Sequence, residues 1–233
     1  MAKAKDEQQE DAKPRGCLAR FMVLGLLLAS VGLGFALYFI AQPQDLSDIQ
    51  GYRPDTRDIL RRDFRRMFQT SLDRSYPVTV TEREINTWLA EVVRTKQGGL
   101  AAPYASLDGV WVRLGDGVAE VILERNVMGK PFTVSMFLQV AQTEDAEGIH
   151  TEVKLHGGGF HEYLPFPSRG GRFGKLVVPQ GFLILVMPAY KNFAKCCPDE
   201  IDLGFEKMAR IKIEKGRLTL DPRAPTRTIS SPP

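Results

Sequence analysis

Residues 175–198 read KLVVPQGFLILVMPAYKNFAKCCP, and between Leu176 and Tyr190 only Gln180 is clearly polar. Whether this run crosses a membrane, fills a core or lines a groove decides what kind of chain this is. As a helix, residues 176–190 would rise only about 22 Å, short of a hydrocarbon layer of roughly 30 Å. Pro179 and Pro188 shorten the regular run further, because proline suits the first turn of a helix and disrupts its interior. The pattern predicts a short helix, apolar all round, opened by Pro179 and kinked or stopped at Pro188. A sheet is its expected cover. Whether protein side chains alone complete that cover, or a lipid shares it, stays open at this level.

A second apolar run has the length that the first lacks. Phe21 to Ala41, FMVLGLLLASVGLGFALYFIA, carries no charge over 21 residues. Its helix would rise roughly 30 Å. It exceeds the apolar core of a signal peptide, and Phe39 stands where a small residue would precede a cleavage site, so a retained transmembrane anchor is the expectation. Lys13, Arg15 and Arg20 flank its start, whereas Asp45 and Asp48 precede the first cation after it, Arg53, which places the N-terminus in the cytoplasm. Gly25, Ala29, Gly32, Gly34 and Ala36 would permit two copies to pair in the bilayer as a homodimer. Residues 1–20 read as a charged cytoplasmic tail without hydrophobic periodicity.

Outside the anchor, residues 42–54 read as a linker and 55–222 as one extracytoplasmic α+β domain, with a Pro-rich disordered tail at 223–233. In residues 56–75, Ile59, Leu60, Phe64, Met67, Phe68 and Leu72 share one side of a helical projection and Arg61, Arg62, Arg65 and Arg66 the other. Those four arginines are candidates for contact with anionic membrane lipid or an envelope protein partner, the alternative being an ordinary solvated face. Thr81 and Glu84 have capping-box spacing, and behind them Ile85, Trp88, Leu89, Val92 and Val93 form an apolar stripe. The period then changes to two. LDGVWVRL, GVAEVILERN, KPFTVSMFLQVAQ and IHTEVKLHG, separated by turn sequences, predict a four-stranded antiparallel meander, and ARIKIEKGRLTLDP a closing hairpin about Lys215-Gly216.

The residue types that carry chemistry are sparse. The formal charge of +3 from 31 basic and 28 acidic residues is too balanced to suggest nucleic acid as partner. His150 and His156 share a strand face with Glu152 and Lys154, but six residues of strand separate the two imidazoles by roughly 20 Å, too far for one metal ion. No nucleophile elbow, phosphate loop or dinucleotide fingerprint is present, so neither a cofactor nor catalysis is expected. Cys196 and Cys197 admit two readings, a strained vicinal disulfide or a pair of buried thiols. The glycine-rich stretch 157–175 brings Phe160, Tyr163, Phe166 and Phe173 together with Arg169, Arg172 and Lys175, as a flap at a lipid mouth would, or as a long surface loop packed back on the sheet.

The order of an N-terminal anchor, VTVTEREINTWLAEVV, a strand meander and GKLVVPQGFLILVMPAYKNF before a final hairpin resembles the YpmS-type bacterial envelope proteins. More remotely it resembles tubular lipid-binding domains. TEREINTWL and the entry marked by Gly174, Leu176 and Pro179 carry most of the likeness. The resemblance implies a curved antiparallel sheet wrapped on helices, with an apolar groove for acyl chains and no catalytic residues. The expected ligand-binding set is Leu176, Val178, Phe182, Ile184, Leu185 and Met187 as lining, with Phe160, Tyr163, Phe166 and Phe173 near the mouth. The rival expectation is a filled core and a protein-interaction module in cell-envelope assembly.

Overall fold

The computed structural model describes residues 17–54, 62–96, 105–144, 149–161 and 163–223. The tail expected at 1–20 lies outside them up to residue 16, as do 224–233, and the predicted helix over 56–75 is described only from Arg62 onward. Two compact units divide the chain, residues Met1–Tyr38 and Phe39–Pro233. Helix α1 (Cys17–Ala41) makes up the described part of the first and contributes its last turn to the second. Its stretch Ala19–Ala41 is long and apolar enough to cross a membrane and is unburied within that window. Length and composition suit a single-pass anchor.

The second unit is α+β, built on a large, curved, unclosed antiparallel sheet. The expected meander is its first half: β2 (Ala105–Leu114), β3 (Ala119–Val127), β4 (Lys130–Glu144) and β5 (Ile149–Leu155) pair in succession after β1 (Val78–Thr81). The glycine-rich stretch is not a loop. It forms β6 (Gly159–His161) and the ten-residue β7 (Leu164–Phe173), followed by β8 (Leu176–Pro179). Fifteen-residue β4 forks, since on the edge away from β3 its first half pairs with β7 and its second with β5. Glycine is required at the fork: a Cβ on Gly171 would run into the Ser135 carbonyl oxygen across the β4–β7 ladder.

Because side chains alternate across a strand, the register sorts the sheet into two faces. On the inner face Val110, Leu123, Val134, Phe173 and Leu176 form one cross-strand row, and Val112, Val121, Met136, Gly171 and Val178 the next. Helix α3 (Glu82–Lys96) covers these rows, its Leu89 and Val93 buried among them. The capping box forms as predicted: Thr81 Oγ1 accepts from Glu84 N at 3.3 Å, and Glu84 Oε2 accepts from Thr81 N at 2.8 Å. A smaller sheet of order β1-β10-β9, the predicted closing hairpin (β9 Arg210–Glu214, β10 Arg217–Asp221) joined by β1, stands beside it. Gln142 of β4 ties the two sheets, accepting from Ile211 N at 2.9 Å and donating to Ala209 O at 3.1 Å. Helix α2 (Phe64–Arg74) buries Phe64 and Phe68 against the smaller sheet.

Residues 42–54, expected to be a linker, instead form a strap across the outer face. Leu46 and Ile49 are buried with Trp111 and Ile122, and the Tyr52 ring packs edge-on to Trp111 at 4.9 Å. Two side chains of α3, one turn apart, fix the strap to the free edge of β2. Glu82 accepts from Gln50 N (2.8 Å) and Leu114 N (2.7 Å). Asn86 donates to Gln50 O and Val112 O (both 2.8 Å) and accepts from Val112 N (2.6 Å). Edge-strand backbone that would otherwise lie buried without partners is thereby satisfied.

Candidate functional site

Between the inner face, α3 and the smaller sheet lies a cavity of about 230 Å³. Val112, Leu114, Ala119, Val121, Leu138 and Val140 form its floor, and Ile85, Trp88 and Leu89 of α3 one wall. Phe64 and Phe68 of α2 close a second side with Val80, Ile213 and Leu218 of the smaller sheet. The remaining wall comes from the region after the opening stretch: Phe193 of α4 (Met187–Ala194), Cys197, Glu200 and Ile201 around the one-turn α5 (Pro198–Ile201), and Phe205 in a turn of π-helix. Valine, leucine and alanine side chains on the floor face the rings of Phe64, Phe68, Trp88 and Phe193 on the helices, and a void is left between them. Val153, on the inner face of β5, belongs to the lining and is 43% exposed, which marks where the cavity reaches solvent. Glu200 is the one ionisable carboxylate among the lining residues.

Tyr190 anchors α4 to the sheet beside this cavity. It is buried, and its hydroxyl lies 3.1 Å from Val121 O and 3.0 Å from Val134 O, to which it donates. Burial pushes its phenol pKa far above the ordinary value, and the nearby Glu120 charge adds to the shift. The side chain therefore acts as a neutral tether.

The residues expected to bind a ligand divide into two groups, and none of them lines this cavity. Phe173 and Val178 are buried in the main core with Leu176 packed against them. The run after Pro179 is a 3-10 helix (Gln180–Leu185) in which Leu183 alone is buried, while Phe182, Ile184 and Leu185 are exposed at 54%, 76% and 71%. Pro188 does not stop a helix but stands in the first turn of α4. Met187, at the start of α4, is half-buried. The 3-10 geometry explains the correction: with three residues per turn, one position in three faces the sheet, and an apolar run leaves the others outside. Phe160, Tyr163 and Phe166 are likewise exposed, on β6, its hairpin and β7.

Of the four arginines, Arg61 lies outside the described residues. Arg62 pairs with Glu84 at 2.6 Å and Arg65 with Asp199 at 2.9 Å, both from exposed side chains, and Arg66 is also exposed. Cys197 is buried and Cys196 half-buried, both as thiols. Among the described residues no group of three His, Cys, Asp or Glu side chains is placed to hold a metal ion. The lining that sequence reasoning missed was signalled in part, since Ile85, Trp88 and Leu89 formed the predicted stripe and Val112, Val121 and Leu138 fell at alternate strand positions.

Fold and cavity together define an α+β domain with an apolar internal cavity, preceded by an apolar helix of membrane-spanning length. No protein-family model matches the chain, and none of the characterised proteins compared with it is similar enough to count as a relative.

Proposed function

We propose that the chain is a single-pass protein of the bacterial cell membrane, N-terminus cytoplasmic, whose extracytoplasmic unit binds a lipid or other apolar ligand without catalysis. The observation that carries this reading is the carbon-lined cavity of about 230 Å³. An engineered apolar cavity of about 150 Å³ stays dry and takes a benzene, whereas drug-sized ligands occupy roughly 300–1,000 Å³. A single acyl or isoprenoid segment fits between these limits; a whole phospholipid does not. The resemblance to tubular lipid-binding domains points the same way.

The test is native mass spectrometry of the full chain in mild detergent, with displacement of a fluorescent fatty acid as a second readout. Ala119→Leu and Val121→Phe extend the floor into the cavity and are expected to weaken probe binding at least tenfold while the melting temperature holds or rises. A folded wild type that carries no apolar mass and binds no probe overturns the reading, as do cavity-filling variants that bind normally. A second reading, an interaction module in envelope assembly, is favoured by the exposed Phe160, Tyr163, Phe166, Phe182, Ile184 and Leu185. Under it, Tyr163→Ser with Phe166→Ser would remove a specific envelope partner and leave probe binding unchanged.

A further inference from the structure

Among the described residues three buried side-chain polar atoms lack a hydrogen-bond partner: Gln44 Oε1, Arg113 Nε and Arg172 Nε. All three residues line one cleft of about 550 Å³ with Asp45, Asp48 and Lys175. It lies on the strap side of the sheet, the face opposite the apolar cavity, because Arg113 and Arg172 alternate with the inward rows. Buried polar groups are nearly always paired, so three unmet ones at a single place call for an occupant with both donors and acceptors.

The surrounding bonds fix which valences are unmet. Ser135 Oγ donates to Glu120 Oε1 (2.6 Å) and so can only accept from Gln44 Nε2 (3.2 Å), which leaves the Gln44 carbonyl oxygen as the unmet acceptor. Arg113 is committed, through Nη1 to Glu120 (2.6 Å) and through Nη2 to Asp48 (2.7 Å). Arg172 Nε lies 3.4 Å from Glu120, within ion-pair range but out of hydrogen-bond alignment, and the guanidinium stacks over Phe137 at 5.7 Å. Lys175 is exposed and makes no ion pair with any described residue. The cleft thus sets Lys175, and an Arg172 that shares Glu120 with Arg113, beside the carboxylates of Asp45 and of Asp48, the latter already accepting from Arg113.

Its position narrows the occupant. Lys175 N donates to Phe39 O at 3.0 Å, and Gly174, at φ +54°, leaves room for the carbonyl oxygens of Phe39, Ile40 and Gln42 that a Cβ there would run into. The Lys175 backbone is therefore fastened to the last turn of α1, and Gln44 follows three residues after the apolar run ends. We infer that this cleft binds the headgroup of a zwitterionic phospholipid, with the phosphodiester on Lys175 and Arg172 and the ammonium on Asp45 and Asp48. This rests on the anchor reading and is independent of the apolar cavity.

The experiment uses the full chain in nonionic detergent, titrated with short-chain phosphatidylethanolamine, phosphatidylglycerol, glycerophosphoethanolamine and inorganic phosphate, and read by native mass spectrometry. Phosphatidylethanolamine is expected to bind best. Lys175→Glu, on an exposed side chain that leaves the fold intact, is expected to weaken it at least tenfold and Lys175→Arg to restore it. Equal retention by Lys175→Glu overturns the inference. Equal binding of phosphatidylglycerol overturns the zwitterion, and equal binding of glycerophosphoethanolamine or phosphate overturns the lipid source. The intact mass from the same spectra shows whether residues 1–41 are retained; their removal overturns the anchor and this assignment with it. Because Ala119→Leu and Val121→Phe act on the opposite face, they are expected to leave headgroup binding unchanged, so failure of the cavity reading is separately visible.

Discussion

Replacing Asn86 by leucine keeps the number and branching of side-chain heavy atoms and removes three hydrogen bonds, to Val112 N, Val112 O and Gln50 O. Asn86 is fully buried, so water does not replace it. Each buried group left without a partner costs about 1–3 kcal/mol, with carbonyls at the lower end because they tolerate loss of one partner better than N–H groups do. The sum is about 4 kcal/mol, a large share of the roughly 5–15 kcal/mol that holds a domain folded. For a unit of this size that corresponds to a fall in melting temperature of about 8–16 °C. In urea, the midpoint should drop by about 2 M at a slope near 2 kcal/mol/M. The assay is thermal and urea unfolding of the detergent-solubilised chain followed by tryptophan fluorescence, with amide exchange at Val112 as the local readout. Gln69→Ala, on the exposed face of α2, is the control and should change stability by less than about 0.5 kcal/mol. A loss below about 1 kcal/mol for Asn86→Leu, or a Val112 amide as protected as in the wild type, would show that the clamp does not carry the strap.

Alkaline pH tests Tyr190. Its phenol pKa is raised in the folded chain by burial and then by Glu120, whereas an unfolded tyrosine ionises near pH 10. Its contribution is therefore whole below about pH 10 and declines as pH rises above it. Tyr190→Phe should cost about 1 kcal/mol at neutral pH and flatten the decline between pH 9 and 11, and an unchanged slope in urea midpoints would assign it elsewhere. Gly171→Ala should cost about 3 kcal/mol or more, because the new Cβ meets backbone on β4, whereas Gly181→Ala faces open space and should be nearly neutral in the same melts. Leu183→Ala should cost about 2–5 kcal/mol and Leu185→Ser less than about 0.5 kcal/mol; similar losses for both would contradict the 3-10 geometry.

The elements that could be read from sequence were those whose periodicity is set by a single water-facing side. The stripe of α3 behind Thr81 and Glu84, the meander and the Lys215-Gly216 hairpin all have one, whereas the membrane-length helix, apolar all round, is legible from its length and lack of charge. Where the logic failed, composition pointed away from the cause. Glycines at 170 and 171 suggested a flexible loop, yet they are needed because β7 lies so close to β4 and to Gln180. The apolar run after Pro179 suggested an enclosed helix, but most of its large side chains are on the surface. Leu46, Ile49 and Tyr52 stand three residues apart, but over a short run among turn formers that does not signal burial, since the strap borrows its order from Glu82 and Asn86, far along the chain. The cavity was hidden for a related reason: a void is set by the difference in length between facing side chains, and only the register supplies which ones face each other.

The strap also bears on mechanics. A pull transmitted through α1 enters the globular unit at Phe39, whose carbonyl oxygen accepts from Lys175 N between β7 and β8, and passes on to residues 42–54. Those residues are held at separated points, by Gln44 to Thr133, by Asp45 and Asp48 to Arg113, by Gln50 to Glu82 and Asn86, and by Tyr52 and Arg53 to Glu124. Force along the strap is shared among these fastenings, whereas a strand peeled from a sheet edge yields one bond at a time. The segment that sequence composition suggests is slack thus spreads a pull over several fastenings.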